Sequence, residues 1–266
     1  MEIDTGSDQL HAHASGGVGW LTFDNPKRLN ALSVGMAEAS ARAISAFDAD
    51  ETVRVIVVTG AGERAFISGA DISEFGDRRT DPLARAEYDR LLGQAWQVWD
   101  EAQKPRIAMI NGFCLGGGLA LALRCDIRIA STTAQFAIPA ARLGLGYGLA
   151  GIKKLLSVVN PAFAAEMLFT ARRFNADEAF SMGLVNRVVS TDQLQPTVSE
   201  LADTISANAP LTIRAARRAI AEAQRPEDAQ DTVLVQQLVD ACFGSQDYLE
   251  GQAAFADKRP PQFKGR

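Results

Sequence analysis

The segment 111–120, Asn-Gly-Phe-Cys-Leu-Gly-Gly-Gly-Leu-Ala, read with Ala-Phe-Ile-Ser-Gly-Ala-Asp at 65–71, constrains the fold more than any other feature of the chain. Each stretch predicts a tight backbone turn leaving a strand. The first has an apolar strand, 107–110, running into three glycines and then a helix expected over 119–124. The N–H groups of a first helical turn have no partner inside the helix, so they are free to bind an oxyanion. Glycine at Gly116 and Gly117 keeps Cβ atoms away from a ligand read by the main chain.

The rest of the chain supplies a frame for these turns. The near-continuous apolar run 53–58 predicts a parallel strand buried on both faces, and strands are also expected at 18–23, 106–110 and 127–130. Leu32, Met36, Ala43, Ile44 and Phe47 recur at helical spacing, and a second helix is expected over 83–102, ending before Pro105. Repeated strand-helix-strand units connect with right-handed crossovers. From residue 148 onward helices dominate, at 153–159, 162–170, 176–182, 194–207, 211–223, 231–243 and 248–257. The expected organisation is an α/β core over 1–200 with a C-terminal helical region over 201–266.

Composition narrows the partners. A net charge of −5 and a pI near 5.2, with no basic run longer than two residues, disfavour nucleic acid and anionic membranes. No stretch approaches the roughly 18 apolar residues of a membrane span, and a cytoplasmic protein is expected. The three cysteines, Cys114, Cys125 and Cys242, lack metal-ligand spacing and read as free thiols. No metal site is expected, and His11 and His13 read as solvated. Gly60-Ala61-Gly62 is half of a dinucleotide fingerprint, lacking the third glycine and an immediate helix.

Taken together, the two glycine turns, Asn-Pro-Lys-Arg-Leu-Asn-Ala-Leu at 25–32, Cys-Asp-Ile-Arg-Ile-Ala at 125–130, Ala-Gln-Phe at 134–136, Gly-Leu-Val-Asn at 183–186 and Phe-Ala-Asp-Lys-Arg at 255–259 carry a resemblance. The chain resembles the crotonase, or enoyl-CoA hydratase/isomerase, superfamily over residues 18–263. The resemblance implies a spiral of repeated ββα units with a C-terminal helical trimerisation region, and a homotrimer or dimer of trimers. It implies an acyl-CoA substrate, with coenzyme A arriving as part of that substrate and no permanently bound cofactor. The amides of Ala70 and Gly117 would hold the thioester oxygen as an enolate forms. Coenzyme A would lie along Phe66, Ser68, Ala70, Asp71 and Ile72, with its phosphates near Lys27 and Arg28, and Lys258 and Phe263 closing over it from a neighbouring subunit.

The departures from the family pattern bear on the reaction. Family hydratases place one glutamate three residues after the donor glycine and another after the proline following the Gln-Phe strand; here these are Ala120 and Ala140. Alanine cannot move a proton, and such help is worth 10² to 10⁴ in rate. The segment 142–151, with Tyr147, and the segment 245–251 look more like the methylmalonyl-CoA decarboxylase branch, in which a tyrosine matching Tyr147 lies by the reacting carboxylate. That branch has a histidine and a glutamate where this chain has Ala70 and Ala120. Three readings stay open: a hydratase-like acyl-CoA lyase, a decarboxylase of a malonyl-type thioester using Tyr147, and a protein that binds acyl-CoA without turning it over. Asp71 and Glu74 read as reaching the pocket or, for Asp71, as a helix cap. Asp126 reads as structural, and Arg142 as a carboxylate attractor or an exposed residue.

Overall fold

A computed structural model of the chain describes residues 1–74, 76 and 81–266. The main sheet sets β1 (Glu2–Ile3), β2 (Leu10–Ser15), β3 (Val18–Phe23), β4 (Val55–Gly60), β6 (Arg106–Ile110), β8 (Ile127–Ser131) and β11 (Arg187–Val189) side by side in that order. The first three pair antiparallel, and every neighbour from β3 to β11 is parallel. A smaller sheet orders β10 (Phe174–Asn175), β9 (Gln135–Ala137), β7 (Phe113–Leu115) and β5 (Ala65–Ile67).

The apolar run at 53–58 reads as a doubly buried strand because it lies between two cores. Ile56 and Val58 face the larger core, with Phe23, Ile44, Phe47 and Trp99, whereas Val55 and Val57 face Leu194, Val198 and Ala202 on the other side. The larger core is roofed by α1 (Val34–Ala49) and α2 (Pro82–Glu101), started by the side chains of Ser33 and Asp81 acting as N-caps. The Trp99 indole N–H donates to Ser40 Oγ at 3.0 Å, which satisfies the one polar atom of a fully buried side chain. Beyond these come α3 (Gly117–Ala122), α4 (Leu149–Leu156), α5 (Pro161–Thr170), α6 (Ala176–Ser181) and α7 (Thr191–Ala207), the last carrying the second core. The C-terminal helices are α8 (Pro210–Ala223), α9 (Thr232–Phe243) and α10 (Gln246–Ala256).

One expectation is corrected. The strand at 107–110 does not run into the glycines: Gly112, at φ +61°, turns the chain into β7, and β7 leads to Gly116 and α3. A Cβ at Gly112 would lie 2.1 Å from the Arg64 carbonyl oxygen, so this turn accepts no larger residue. The helix also begins two residues earlier than expected, at Gly117, and ends at Ala122.

Parallel topology fixes where a site can form. The segments after β3, β4, β6 and β8 all leave the same, C-terminal edge of the sheet, which is where open α/β sheets bind ligands. These segments carry residues 25–32, 65–72, 112–120 and 135–147.

Candidate active site

Two backbone amides converge here. Ala70 pairs with Leu32 in an isolated parallel bridge: Leu32 N donates to Gly69 O and Asp71 N donates to Leu32 O, each at 2.8 Å. Both bonds belong to the neighbours of Ala70, so its own N–H faces the opposite side, toward α3. Gly117 stands there as the first residue of that helix, with an N–H that has no partner inside it. The space between them is narrow: a Cβ built on Gly117 would lie 3.3 Å from Ala70 N.

The surrounding glycines hold this arrangement. Gly116 has φ +48° and ψ −111°, a conformation open to glycine alone, and its N–H donates to Ala137 O at 2.8 Å. Gly69, at φ +131°, turns β5 into the Ala70 bridge. Gly118 is needed for packing, because a Cβ there would meet Ile67 O at 2.2 Å.

Ala120, Ala140 and Tyr147 are all half-buried. The Tyr147 ring lies across the first turn of α4, so close that a Cβ on Gly151 would sit 2.8 Å from it. Burial raises the phenol pKa above its ordinary value, opposed by the positive charge of Arg124. Arg124, four residues beyond Ala120, lies just past the C-terminal end of α3. Its Nη1 donates to Ala120 O at 2.8 Å, and its guanidinium lies 4.5 Å from the Trp96 ring centroid.

A second cluster gathers the expected coenzyme A contacts. Lys27 and Arg28 are exposed on the turn Pro26–Arg28. Ser68 Oγ donates to Arg28 O at 3.1 Å, and the Arg28 guanidinium donates to Asp71 and Ser73. Burial works to raise the Asp71 carboxyl pKa, but hydrogen bonds from Ser73 and the Arg28 guanidinium overcome it and hold the carboxyl below the ordinary range. Asp71 caps only the short turn Ile72–Glu74, through Ser73 N at 3.0 Å, and is engaged with Arg28 rather than free to reach the pocket. Glu74 accepts from Val34 N at 3.0 Å. Ile72 is 71% exposed beside them, an apolar surface suited to a flat ring. Phe66 brings no side chain to this surface: that side chain is fully buried, and its carbonyl packs over Gly60.

Lys258 ends the last helix at φ +54°, and Phe263 lies in the tail that follows it. Phe263 rests on Gly251, Asp247 accepts from the N–H groups of Lys264 and Gly265, and Gly265 abuts Arg54, just before β4. That is the N-terminal edge of the sheet, opposite the amides. An open cleft of about 860 Å³ lies at this edge, between Asp48, Arg54, Lys104, Arg214 and Lys264.

Several other candidates are structural. Asp126 accepts from Arg106 N at 2.8 Å and from Arg217 Nε at 3.0 Å, clamping β6 to α8. Arg142 is exposed, His11 pairs with Asp24 at 3.1 Å, and His13 stacks on Trp20. Burial pushes the Cys114 thiol pKa up and that of Cys125 to about 12, so neither is a thiolate at neutral pH. Among the described residues, no cluster of His, Cys, Asp and Glu could hold a metal ion, and no helix is long and apolar enough to cross a membrane.

Comparison with known proteins agrees with this architecture. The enoyl-CoA hydratase/isomerase family profile matches residues 13–266. The short-chain-enoyl-CoA hydratase of Clostridium acetobutylicum is 35% identical over 94% of this chain and 96% of its own length. The carnitinyl-CoA dehydratase of Proteus mirabilis is 38% identical over 98% of this chain and its full length. The crystal structure of an enoyl-CoA hydratase/carnithine racemase from Magnetospirillum magneticum superposes with a TM-score of 0.92 at 33% identity, covering 100% of this chain and 97% of that one. Profile, relatives and fold coincide over nearly the whole length, and the chain belongs to the enoyl-CoA hydratase/isomerase, or crotonase, family.

Proposed function

We propose that the protein is an acyl-CoA lyase that stabilises a thioester enolate with the backbone N–H groups of Ala70 and Gly117. The convergence of these amides across a gap of 3.3 Å from a Gly117 Cβ position to Ala70 N is the observation that carries the reading. Each such donor is worth about 3 kcal/mol of transition-state stabilisation in other enzymes. The relatives named as a hydratase and a dehydratase support hydratase-like chemistry, in which one water is divided across the double bond, its hydroxyl joining the β-carbon and a proton the α-carbon. Lys27, Arg28, Ser68, Ala70, Asp71 and Ile72 hold coenzyme A in this reading. Lys258 and Phe263 complete the site of a neighbouring copy in a trimer or a dimer of trimers in this reading.

A second reading is favoured by Ala120 and Ala140 together with a buried, protonated Tyr147. In a malonyl-type thioester the bond between the α-carbon and the carboxylate breaks and carbon dioxide leaves. The electron pair enters the thioester as an enolate, and a proton then adds to the α-carbon. No base is required, so two amides and a phenol donor suffice.

Mass spectrometry of crotonyl-CoA and methylmalonyl-CoA incubated together with the protein separates the readings. A gain of water by crotonyl-CoA supports hydration. Loss of carbon dioxide from methylmalonyl-CoA supports the second reading. Neither mass changing overturns both of these reactions and leaves a different acyl substrate or acyl-CoA binding without turnover.

A further inference from the structure

The cleft at the N-terminal edge of the sheet plays no part in the chemistry above. Its volume of about 860 Å³ lies inside the roughly 300–1,000 Å³ of small-molecule sites. Its walls come from parts of the chain far apart in sequence: the end of α1, the residues just before β4 and β6, the first turns of α8, and the tail. From Arg54, the six residues of β4 carry the chain about 20 Å to the edge that holds the amides, so the cleft is separate from them.

Positive charge dominates this cleft. The basic side chains of Arg54, Lys104, Arg214, Lys264 and Arg266 outnumber the acids Asp48 and Glu51. Asp48 accepts from the N–H groups of Gln103 and Lys104, at 2.9 and 3.0 Å, and Glu51 is exposed on the rim. The Lys104 ammonium donates to the Phe47 and Asp50 carbonyl oxygens, which satisfy its hydrogens and leave its charge uncompensated. Burial lowers the Lys104 pKa; Asp48 and Asp50 oppose that, and the Arg54 guanidinium lowers it further, so the two cations feel each other. The side chains of Arg54, half-buried, and of Arg214 and Lys264, both exposed, make no hydrogen bond and no ion pair among the described residues. Glu250, the carboxylate that Lys264 influences, is already paired with Arg259 at 2.7 Å.

Guanidinium binds phosphate through parallel N–H donors, and ammonium binds it as a point charge. Three unpaired cations on three separate segments suit a ligand with more than one anionic group. We propose that this cleft is a second binding site, for a small molecule carrying at least two linked phosphate groups. Arg54, Arg214 and Lys264 supply its donors. The ligand would also secure the tail, because Arg54 Nη1 stands 3.0 Å from a Cβ position on Gly265, and Asp247 already holds the N–H groups of Lys264 and Gly265 at 2.7 Å. The proposal stands apart from the acyl-CoA reading, and neither depends on the other.

The test is calorimetric titration of the protein with pyrophosphate and with orthophosphate at low salt. Pyrophosphate is expected to bind at least about tenfold more tightly than orthophosphate, and to weaken as salt is raised. Arg54→Met, which keeps the aliphatic stem beside Gly17, and Lys264→Met should each weaken pyrophosphate binding at least about fivefold. Glu51→Gln, at an exposed position, removes an acid from the rim and should tighten binding about twofold, which keeps the inference testable if Arg54→Met fails to fold. Arg28→Met, in the cationic cluster at the other edge of the sheet, should leave pyrophosphate binding unchanged. Absence of binding, equal affinity for the two anions, binding that survives Arg54→Met and Lys264→Met combined, or binding lost in Arg28→Met overturns the inference.

Discussion

Replacing Gly117 with alanine tests the amide pair with little disturbance of the fold. Gly117 has a helical backbone that alanine adopts without strain, and the added methyl would meet Ala70 N at 3.3 Å, a contact relieved by a shift of a few tenths of an ångström. The substitution gains roughly 0.5–1 kcal/mol of helical backbone entropy, which offsets that contact, so stability should change by no more than about 1 kcal/mol. The site fares differently. An oxyanion must sit about 2.7–3.1 Å from both nitrogens, and the methyl, attached beside one and 3.3 Å from the other, fills that volume. Losing one donor costs about 3 kcal/mol, and denying both roughly doubles it, so kcat/KM should fall at least 10²-fold and toward 10⁴-fold. The assay is turnover of whichever thioester changes mass, with denaturant unfolding in parallel. Gly118→Ala is the contrast: its methyl would stand 2.2 Å from the Ile67 carbonyl oxygen, fixed backbone, and should destabilise the fold by more than about 3 kcal/mol. A folded Gly117→Ala protein with activity within threefold of the original would refute the amide pair.

Tyr147→Phe keeps the ring packing and removes the hydroxyl, which burial keeps protonated through the neutral range; kcat should fall about 10²-fold with KM within threefold, and steady-state kinetics giving the reverse split would refute a role in chemistry. Ser40→Ala leaves the Trp99 indole N–H without its acceptor in the core and should cost about 1–3 kcal/mol in urea unfolding. The Glu250 carboxyl is held down at about 2, first by Arg259 and then by the Gln262 N–H. A depressed carboxylate contributes stability above its unfolded pKa of about 4.3 and loses it as pH falls toward the folded value. Amide exchange in 259–266, corrected for its intrinsic pH dependence, should rise between pH 4 and 2 and stay level between pH 6 and 5; an unchanged rate at low pH would show that Glu250 does not hold the tail.

Local chemistry alone determined a good deal about this protein. The run at 53–58 had to be a doubly buried strand because it offers no polar face, and it separates two cores. Glycine at 116 and 117 marked the amide site because the constraint is conformational and is written in the residue type itself. The two missing glutamates were legible for the same reason. What lies between elements distant in sequence was not legible. Strands of three residues, such as β5 and β7, carry too little periodicity to be read, and their pairing is what sets Ala70 beside Gly117. The need for glycine at Gly118 comes from the Ile67 carbonyl, 51 residues earlier in a chain of 266. Arg28 and Asp71 each looked available until the fold placed one against the other. Arg124 stands at the end of an expected helix, and only tertiary packing sets its guanidinium against the Trp96 ring and beside Asp100. The conformational freedom of a glycine and the run of apolar residues in a strand belong to residues and their neighbours along the chain, so the sequence determines them; the partners of a charged group and the close contacts of a glycine belong to elements brought together by packing, and only the tertiary structure decides them.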